Sequence, residues 1–545
     1  MSPTFRTFIL ALVFGAVLAP AAHASPQQIS IMMDDDLLVY RDDTTAAKAL
    51  TQMQSLGVDA VRVTVLWSSV AENAHFTKEE VASLKGAAKT VARRQNRRFR
   101  AANPRTYPIK NWDRYDNLVK AAQDRGIRVY FNVTGPGPAW AHAKPPKKFN
   151  SLRKAWKPKY RDYKQFVAAV GRRFSGSYRD ENGSRGALPR VNFWSLWNEP
   201  NQAGWLAPQW EQRGSQRVPA SPAIFRNLHR VGTEALIETT HGKDLILLGE
   251  TAPLGADAPT EKAPMRPKLF LRELACLDAN LNLYTGSAAR VRECSKRIPL
   301  VAKGYAHHPY TKNVPPSVRD RSPDSITMAN ISELGALLDT MSARSGGMVP
   351  ANLPLFLTEF GFETNPPDPF SGVPLASQAK FNTIGEYQAY TNPRVAAQSQ
   401  FLLYDVGPRR QHRKTSKAFW FTYQSGLFYR RGLAKPAAYA YSIPFLAFPT
   451  GPDPATAAPT FNIWGQLRFL KNGVPNVAHI QWAPASNPVG WTTVGEPVAV
   501  DERGYFTAPR TAPQNVPGLW RAVWLRADGS VGQASQSSLG SADGT

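Results

Sequence analysis

Cysteine is nearly missing from this chain: Cys276 and Cys294 are the only two in 545 residues, and no histidine stands at ligand spacing around either. Neither a metal site nor a thiol nucleophile is therefore favoured. Acidic residues are also in short supply, 41 Asp and Glu against 66 Lys and Arg, for a formal charge of +25. No nucleic-acid fold signature accompanies this excess, which sets nucleic acid aside as a partner. Beyond the N-terminus no segment offers about 20 uninterrupted apolar residues, so no membrane span is expected.

The one apolar run of note is FILALVFGAVLA at residues 8–19. It follows Arg6 and precedes Ala22-His23-Ala24, the order of a basic n-region, a short h-region and an A-x-A cleavage site. Residues 1–24 are thus read as a removed signal peptide, and the mature protein is expected to be secreted, extracellular and monomeric. Export places Cys276 and Cys294 where one disulfide can persist, with two buried free thiols as the competing arrangement. The basic excess is densest in ARRQNRRFRAANPR, residues 92–105. It suits an anionic polymer such as a uronic-acid polysaccharide, and equally a merely solvated basic surface.

Short β-rich runs alternate with helix-like segments, the pattern of βα units around a parallel sheet. The runs are QISIMM (28–33), DAVRVTVLW (59–67), IRVYFNVTG (127–135), VNFWSLWNE (191–199), LILLGETA (245–252), KGYAHHPY (303–310), LPLFLTEFG (353–361) and KAFWFTYQ (417–424). Eight such units over about 420 residues fit an α/β fold of the (β/α)8 TIM-barrel type, whose sites lie at the C-terminal ends of the strands. Residues 25–445 are assigned to this barrel. FPTGPDPATAAPTF (448–461) reads as a connector, and short alternating strands after it predict a C-terminal β-sandwich over 446–545 with a disordered tail.

Three strand ends make little sense as core. Strand four ends Trp197-Asn198-Glu199-Pro200, strand six His307-His308-Pro309-Tyr310, and strand seven Thr358-Glu359-Phe360-Gly361. A carboxylate buried unpaired is costly, so at the barrel mouth these glutamates are expected to face a polar cleft. Two glutamates converging from strands four and seven supply what glycoside hydrolysis needs: one carboxyl to protonate the leaving oxygen, one to attack or to activate water. No cofactor is required. Asn198 is suited to hydrogen-bond a sugar hydroxyl, or else to tie down the next loop.

With these residues the sequence resembles clan A of the glycoside hydrolases. WNEPN followed by tryptophan, with GPGPAWA after strand three, is most similar to family 39, the β-xylosidases and related bacterial endo-glycosidases. The resemblance implies that Glu199 is the general acid/base and Glu359 the nucleophile of a retaining double displacement. It also implies that Tyr310 of a His-x-Tyr motif touches the nucleophile, that Arg62 on strand two keeps Glu359 ionised, and that Trp420 on strand eight lies beneath the reacting sugar. By strand alternation His308 shares the face of Tyr310 and His307 opposes it. Trp140 and Trp205, after strands three and four, are expected to line further subsites or to pack in the core. Glu250, ending LGETAP, is a second acid at the upper face, and Asp34, Asp35 and Asp36 read as a solvated loop. The expected activity is a glycosidase acting on a β-linked carbohydrate, with a transglycosylase or a catalytically silent carbohydrate-binding protein as alternatives.

Overall fold

The computed structural model describes residue 25 and residues 27–182, 186–470 and 476–541. The segment read as a signal peptide lies outside the described residues. Eight parallel strands close a barrel: β1 (Ile29–Met33), β2 (Ala60–Leu66), β3 (Arg128–Thr134), β4 (Phe193–Leu196), β5 (Leu245–Thr251), β6 (Gly304–His307), β7 (Leu355–Leu357) and β8 (Val395–Phe401). Strand β8 returns to β1, with Ile29 opposite Ala397 and Met33 opposite Phe401. A helix follows each strand: α1 (Asp43–Ser55), α2 (Ile109–Gln123), α3 (Tyr160–Arg173), α4 (Ser221–Glu238), α5 (Pro267–Leu274), α6 (Ser332–Ser345), α7 (Leu375–Tyr390) and α8 (Pro436–Ser442).

Period-two alternation sorts the strand residues. Val61, Val63 and Val65 of β2 and Val129, Phe131 and Val133 of β3 face outward, packed with Leu50 and Met53 of α1 and with Leu118 and Phe166 of α2 and α3. Facing inward, every strand contributes one residue to a single apolar plug: Ile31, Ala60, Tyr130, Phe193, Leu247, Ala306, Phe356 and Ala397. Burying each large member stabilises the barrel by about 1.5–3 kcal/mol. Strand β6 starts on glycine because a Cβ at Gly304 would come within 2.5 Å of the Phe356 ring. One inward step further up, the buried positions become polar: Arg62, Asn132 and Ser195. The barrel is sealed below and chemically equipped above.

Strand eight is not KAFWFTYQ. That segment lies in the long connection between β8 and α8, and the barrel is completed by VAAQSQF instead. Alanine, glutamine and serine carry little strand propensity, yet Gln398, Ser399 and Gln400 are all buried. The connection is anchored from within. Asp34 accepts the backbone N–H groups of Leu403 and Tyr404, and buried Lys435 donates to Asp405 at 2.6 Å, Thr364 Oγ1 at 2.8 Å and the Gln424 carbonyl at 3.0 Å. Asp34 also caps the helical turn Asp35–Leu38. Asp34 is thus a buried joint and not part of a solvated loop, and burial pushes its carboxyl up to about 7, while Asp36 stays part-exposed beside Arg41.

The C-terminal part is a sandwich of two antiparallel sheets, one of them β9 (Phe445–Pro452), β10 (Pro459–Gln466) and a strand at Tyr505–Thr511. The stretch read as a connector is the β9–β10 hairpin, whose strands pair from Phe445–Gly465 to Pro452–Pro459. The tail is also ordered as far as residue 541, because Ser538 and Trp520 exchange two backbone hydrogen bonds. Trp482 and Trp520 fill the sandwich core, while Trp464 packs against Tyr387 and Tyr390 of α7. Buried Arg468 reaches Ser30 Oγ at 2.6 Å and Glu386 at 3.1 Å, and Arg503 reaches Asp59 at 2.5 Å. Ser30 and Asp59 lie at the N-terminal ends of β1 and β2, so the sandwich braces the barrel at the end away from the carboxylates.

Cys276 and Cys294 are paired across a sequence separation of 18. Loop-closure entropy for a loop of this size is worth about 3 kcal/mol. The Cys276→Ser/Cys294→Ser variant is expected to lose about that much stability in denaturant titration, and an unchanged midpoint would contradict it.

Candidate active site

Past Ser195 strand β4 leaves its pleat. Trp197 has φ +75° and Glu199 φ +35°, the left-handed region that side chains avoid at a cost of about 1–3 kcal/mol each. The break turns Trp197 outward onto Tyr163 of α3, ring centroids 5.2 Å apart, with its Nε1 donating to the Trp205 carbonyl. Asn198 and Glu199 are thereby delivered to the barrel mouth. The Asn198 Oδ1 accepts from Arg62 Nη2 at 2.7 Å, which fixes the amide orientation. Its Nδ2 makes no hydrogen bond among the described residues and is not sealed from solvent, so it remains free to donate to a ligand.

Arg62 is fully buried and serves three partners at once. It pairs with Glu359 at 3.0 Å, the partner that the family resemblance implies, and also with Glu250 and Asn198. Glu250 does not reach a ligand surface. It is fully buried, accepting from Arg62, the Tyr130 hydroxyl, Ser195 Oγ at 2.8 Å and His308 Nε2 at 3.1 Å. Simple alternation would send Glu250 outward beside Leu248, but the β5–β6 register shifts between Leu248 and Thr251. Gly249, at φ +111° within 2.3 Å of the Ala306 carbonyl for any added Cβ, makes that shift possible.

His308 bridges the cluster. Its Nδ1 lies 2.9 Å from Glu199 and 3.6 Å from Glu359, while Nε2 bonds Glu250. His307 points the other way, between Thr251 Oγ1 and the Ile326 carbonyl. Tyr310 donates to Glu359 Oε2 at 3.1 Å. Glu199, His308 and Glu359 each place an atom within 4.8 Å of the other two.

Burial disfavours charge on His308, but Glu359, Glu199 and Glu250 outweigh it and raise the imidazole to about 10. Burial likewise pushes Glu250 up, yet Arg62 and His308 prevail and hold it well below the usual carboxylate range. Glu359 is raised by burial, with His308 and Arg62 opposing and Glu199 adding to the rise. Arg62 and His308 thus stand among three carboxyl groups. In this structure the three side chains form an ion-pair network, His308 lying between the two glutamates.

The His308 shift carries a testable sign. A group whose folded pKa is raised contributes stability that is complete below its unfolded value, about 6.5. That contribution disappears as pH rises towards about 10. The thermal-stability advantage of the parent over His308→Gln is therefore expected to be greatest below about pH 6.5 and to shrink as pH rises. An advantage that grows with pH would contradict the assignment.

The tryptophans divide. Trp420 is not on strand eight. It is only 9 % exposed, packs edge-on to Phe419 and donates to the Lys414 carbonyl, so it anchors its connection. Trp140 sits half-buried in an aromatic cluster with Trp67, His75 and Phe99, and Trp67 itself is core, stacked on Phe166. Trp205 is half-buried, with no aromatic partner among the described residues. The open aromatic residue near the carboxyls is Tyr423, which the sequence reading overlooked. It is 55 % exposed, lies 5.1 Å from the Phe401 ring, and is pushed up to about 12 by burial, Glu359 and Glu199. Glu363 is half-buried against Asp368, and burial with that neighbour takes it to about 8.

No protein-family model matches the chain, and no curated protein matches it in sequence. Solved structures do resemble it. A family 39 glycoside hydrolase from the gut symbiont Bacteroides cellulosilyticus is 12 % identical over 90 % of this chain and 81 % of its own, with a TM-score of 0.45. A monomeric β-xylosidase from Caulobacter crescentus is 13 % identical over 92 % and 96 %, TM-score 0.44. An endo-β-1,4-mannanase from Thermotoga petrophila is 9 % identical over 95 % and 97 %, TM-score 0.38.

Proposed function

We propose that this protein is an exported, monomeric, retaining glycoside hydrolase that cleaves a β-linked poly- or oligosaccharide with two glutamates and no cofactor. One observation carries the reading: Glu199 and Glu359, at the ends of β4 and β7, offer oxygens within 4.8 Å of each other. Retaining enzymes hold their carboxyl groups about 5–5.5 Å apart, whereas inverting enzymes need about 6.5–9.5 Å to admit a water. Export rests on the residues 1–24 motif.

In this mechanism Glu199 gives its proton to the glycosidic oxygen as the Glu359 carboxylate attacks the anomeric carbon, releasing the leaving sugar and forming a glycosyl ester. Water then attacks that carbon, Glu199 takes the water's proton, and the ester bond to Glu359 breaks. Arg62 and Tyr310 hold the attacking carboxylate in place, since each binds one of its oxygens. Asn198 Nδ2 is positioned to donate to a sugar hydroxyl, a bond that strengthens as the ring approaches its oxocarbenium-like transition state.

The test is a glycan panel with NMR detection of the first-formed anomer. Release of sugar with its configuration retained supports the reading. Inverted product would overturn the double displacement, and binding without turnover across the panel would make the protein a silent carbohydrate binder.

A further inference from the structure

The connection between β8 and α8 carries the sequence PRRQHRKTSK at 408–417. Arg409, Arg410, Arg413, Lys414 and Lys417 are all exposed, and none forms a salt bridge among the described residues. Elsewhere the arginines are commonly matched to acids, as Arg266 is to Asp257, Arg272 to Asp324 and Arg394 to Asp339. Five like charges on one surface segment repel one another and raise the local concentration of counter-ions.

The connection that carries this segment borders the site. Its base is pinned by Asp34 and by buried Lys435, so it is held in place at the barrel mouth. A short chain of contacts ties it to the carboxyls: Tyr423 lies 5.1 Å from Phe401, Phe401 lies 6.1 Å from Tyr310, and Tyr310 donates to Glu359. Arg409 caps the exposed Phe421 ring at 5.0 Å, so cation and aromatic surface are presented together. Aromatic faces suit the apolar face of a sugar, and guanidinium forks suit its anionic substituents.

Resting on the glycosidase reading above, we infer that the β8–α8 connection is an anion-recognising rim and that the substrate is an acidic glycan bearing carboxylate or sulfate-ester groups. Charge complementarity selects an acidic glycan over a neutral one, and the link from Tyr423 through Phe401 and Tyr310 to the paired glutamates selects a glycan over a nucleic acid.

The experiment measures binding, with turnover blocked by Glu359→Gln in the full chain. The probes are polygalacturonate, its carboxyl-reduced neutral counterpart, dextran sulfate and a single-stranded polynucleotide, each titrated at several salt concentrations. Binding to one or both acidic glycans is expected to exceed binding to the neutral polymer by about tenfold at low salt and to weaken as salt rises. The uronan and sulfate arms tell which anion is read. Adding Arg409→Gln, Arg410→Gln, Arg413→Gln and Lys414→Gln is expected to abolish that preference, while the same four-charge removal at Arg93, Arg94, Arg97 and Arg98 leaves it. Equal affinity for acidic and neutral polymers overturns the inference, even if the rim variant fails to fold. Tighter binding of the polynucleotide also overturns it, as does a folded rim variant that keeps its salt-sensitive preference. Salt-sensitive binding of an acidic glycan that the unblocked protein never cleaves would sink the hydrolase reading and leave this one standing.

Discussion

Glu359→Ala is expected to lower kcat by about 10⁵-fold while the protein remains folded, because it removes the atom that forms the covalent bond. The fold tolerates the change. Glu359 is 9 % exposed, and its loss leaves Arg62 still paired with fully buried Glu250. Steady-state rates beside a thermal melt separate the two effects. Hydrolysis above about one per cent of the parent rate would exclude Glu359 as nucleophile, since the remaining binding and acid catalysis do not reach that level. Glu199→Ala is expected to behave differently. It slows cleavage of sugars with poor leaving groups but spares formation of the glycosyl ester from activated aryl glycosides, whose departure needs no proton.

Arg62→Met is expected to be the most destabilising single change in the barrel. The guanidinium has no exposure and binds Glu250, Glu359 and the Asn198 Oδ1 together. Truncation strands Glu250 without its main counter-ion, and breaking a buried pair from one side costs about 3–5 kcal/mol. Activity falls as well, because Glu359 loses an ion-pair partner and Asn198 the bond that orients it. Arg62→Lys keeps the charge but not the fork, so it is expected to recover part of the stability and little of the rate. Urea titration measures the first effect, and a parental midpoint in Arg62→Met would show that the cluster does not depend on this charge.

Much of this site is legible in the sequence. Seven strands announce themselves by β-branched and aromatic runs, and the alternation that separates His308 from His307 survives in the structure. The eighth strand escaped because VAAQSQF buries amide and hydroxyl groups where a strand normally buries hydrocarbon, and the nearby aromatic run KAFWFTYQ offers a stronger local signal. Trp420 was misplaced with it, and Tyr423 was missed. Glu250 reads in the sequence only as a second acid at the upper face. Its role depends on the register shift at Gly249, which reverses the face that the alternation predicts. The hairpin at 445–466 was hidden by proline, threonine and alanine, residues that sequence reading assigns to linkers but that the edge strand β9 and the first position of β10 accommodate.

The two carboxyls exchange roles in a single measurable property, the anomer of the azide product. With azide and an activated β-glycoside, Glu359→Ala is predicted to regain turnover by direct attack and to yield the α-glycosyl azide. Glu199→Ala, whose glycosyl ester still forms, is predicted to yield the β-azide. NMR of the two products decides: the opposite pairing would reverse the assignment, and no azide adduct from either variant would contradict the double displacement itself.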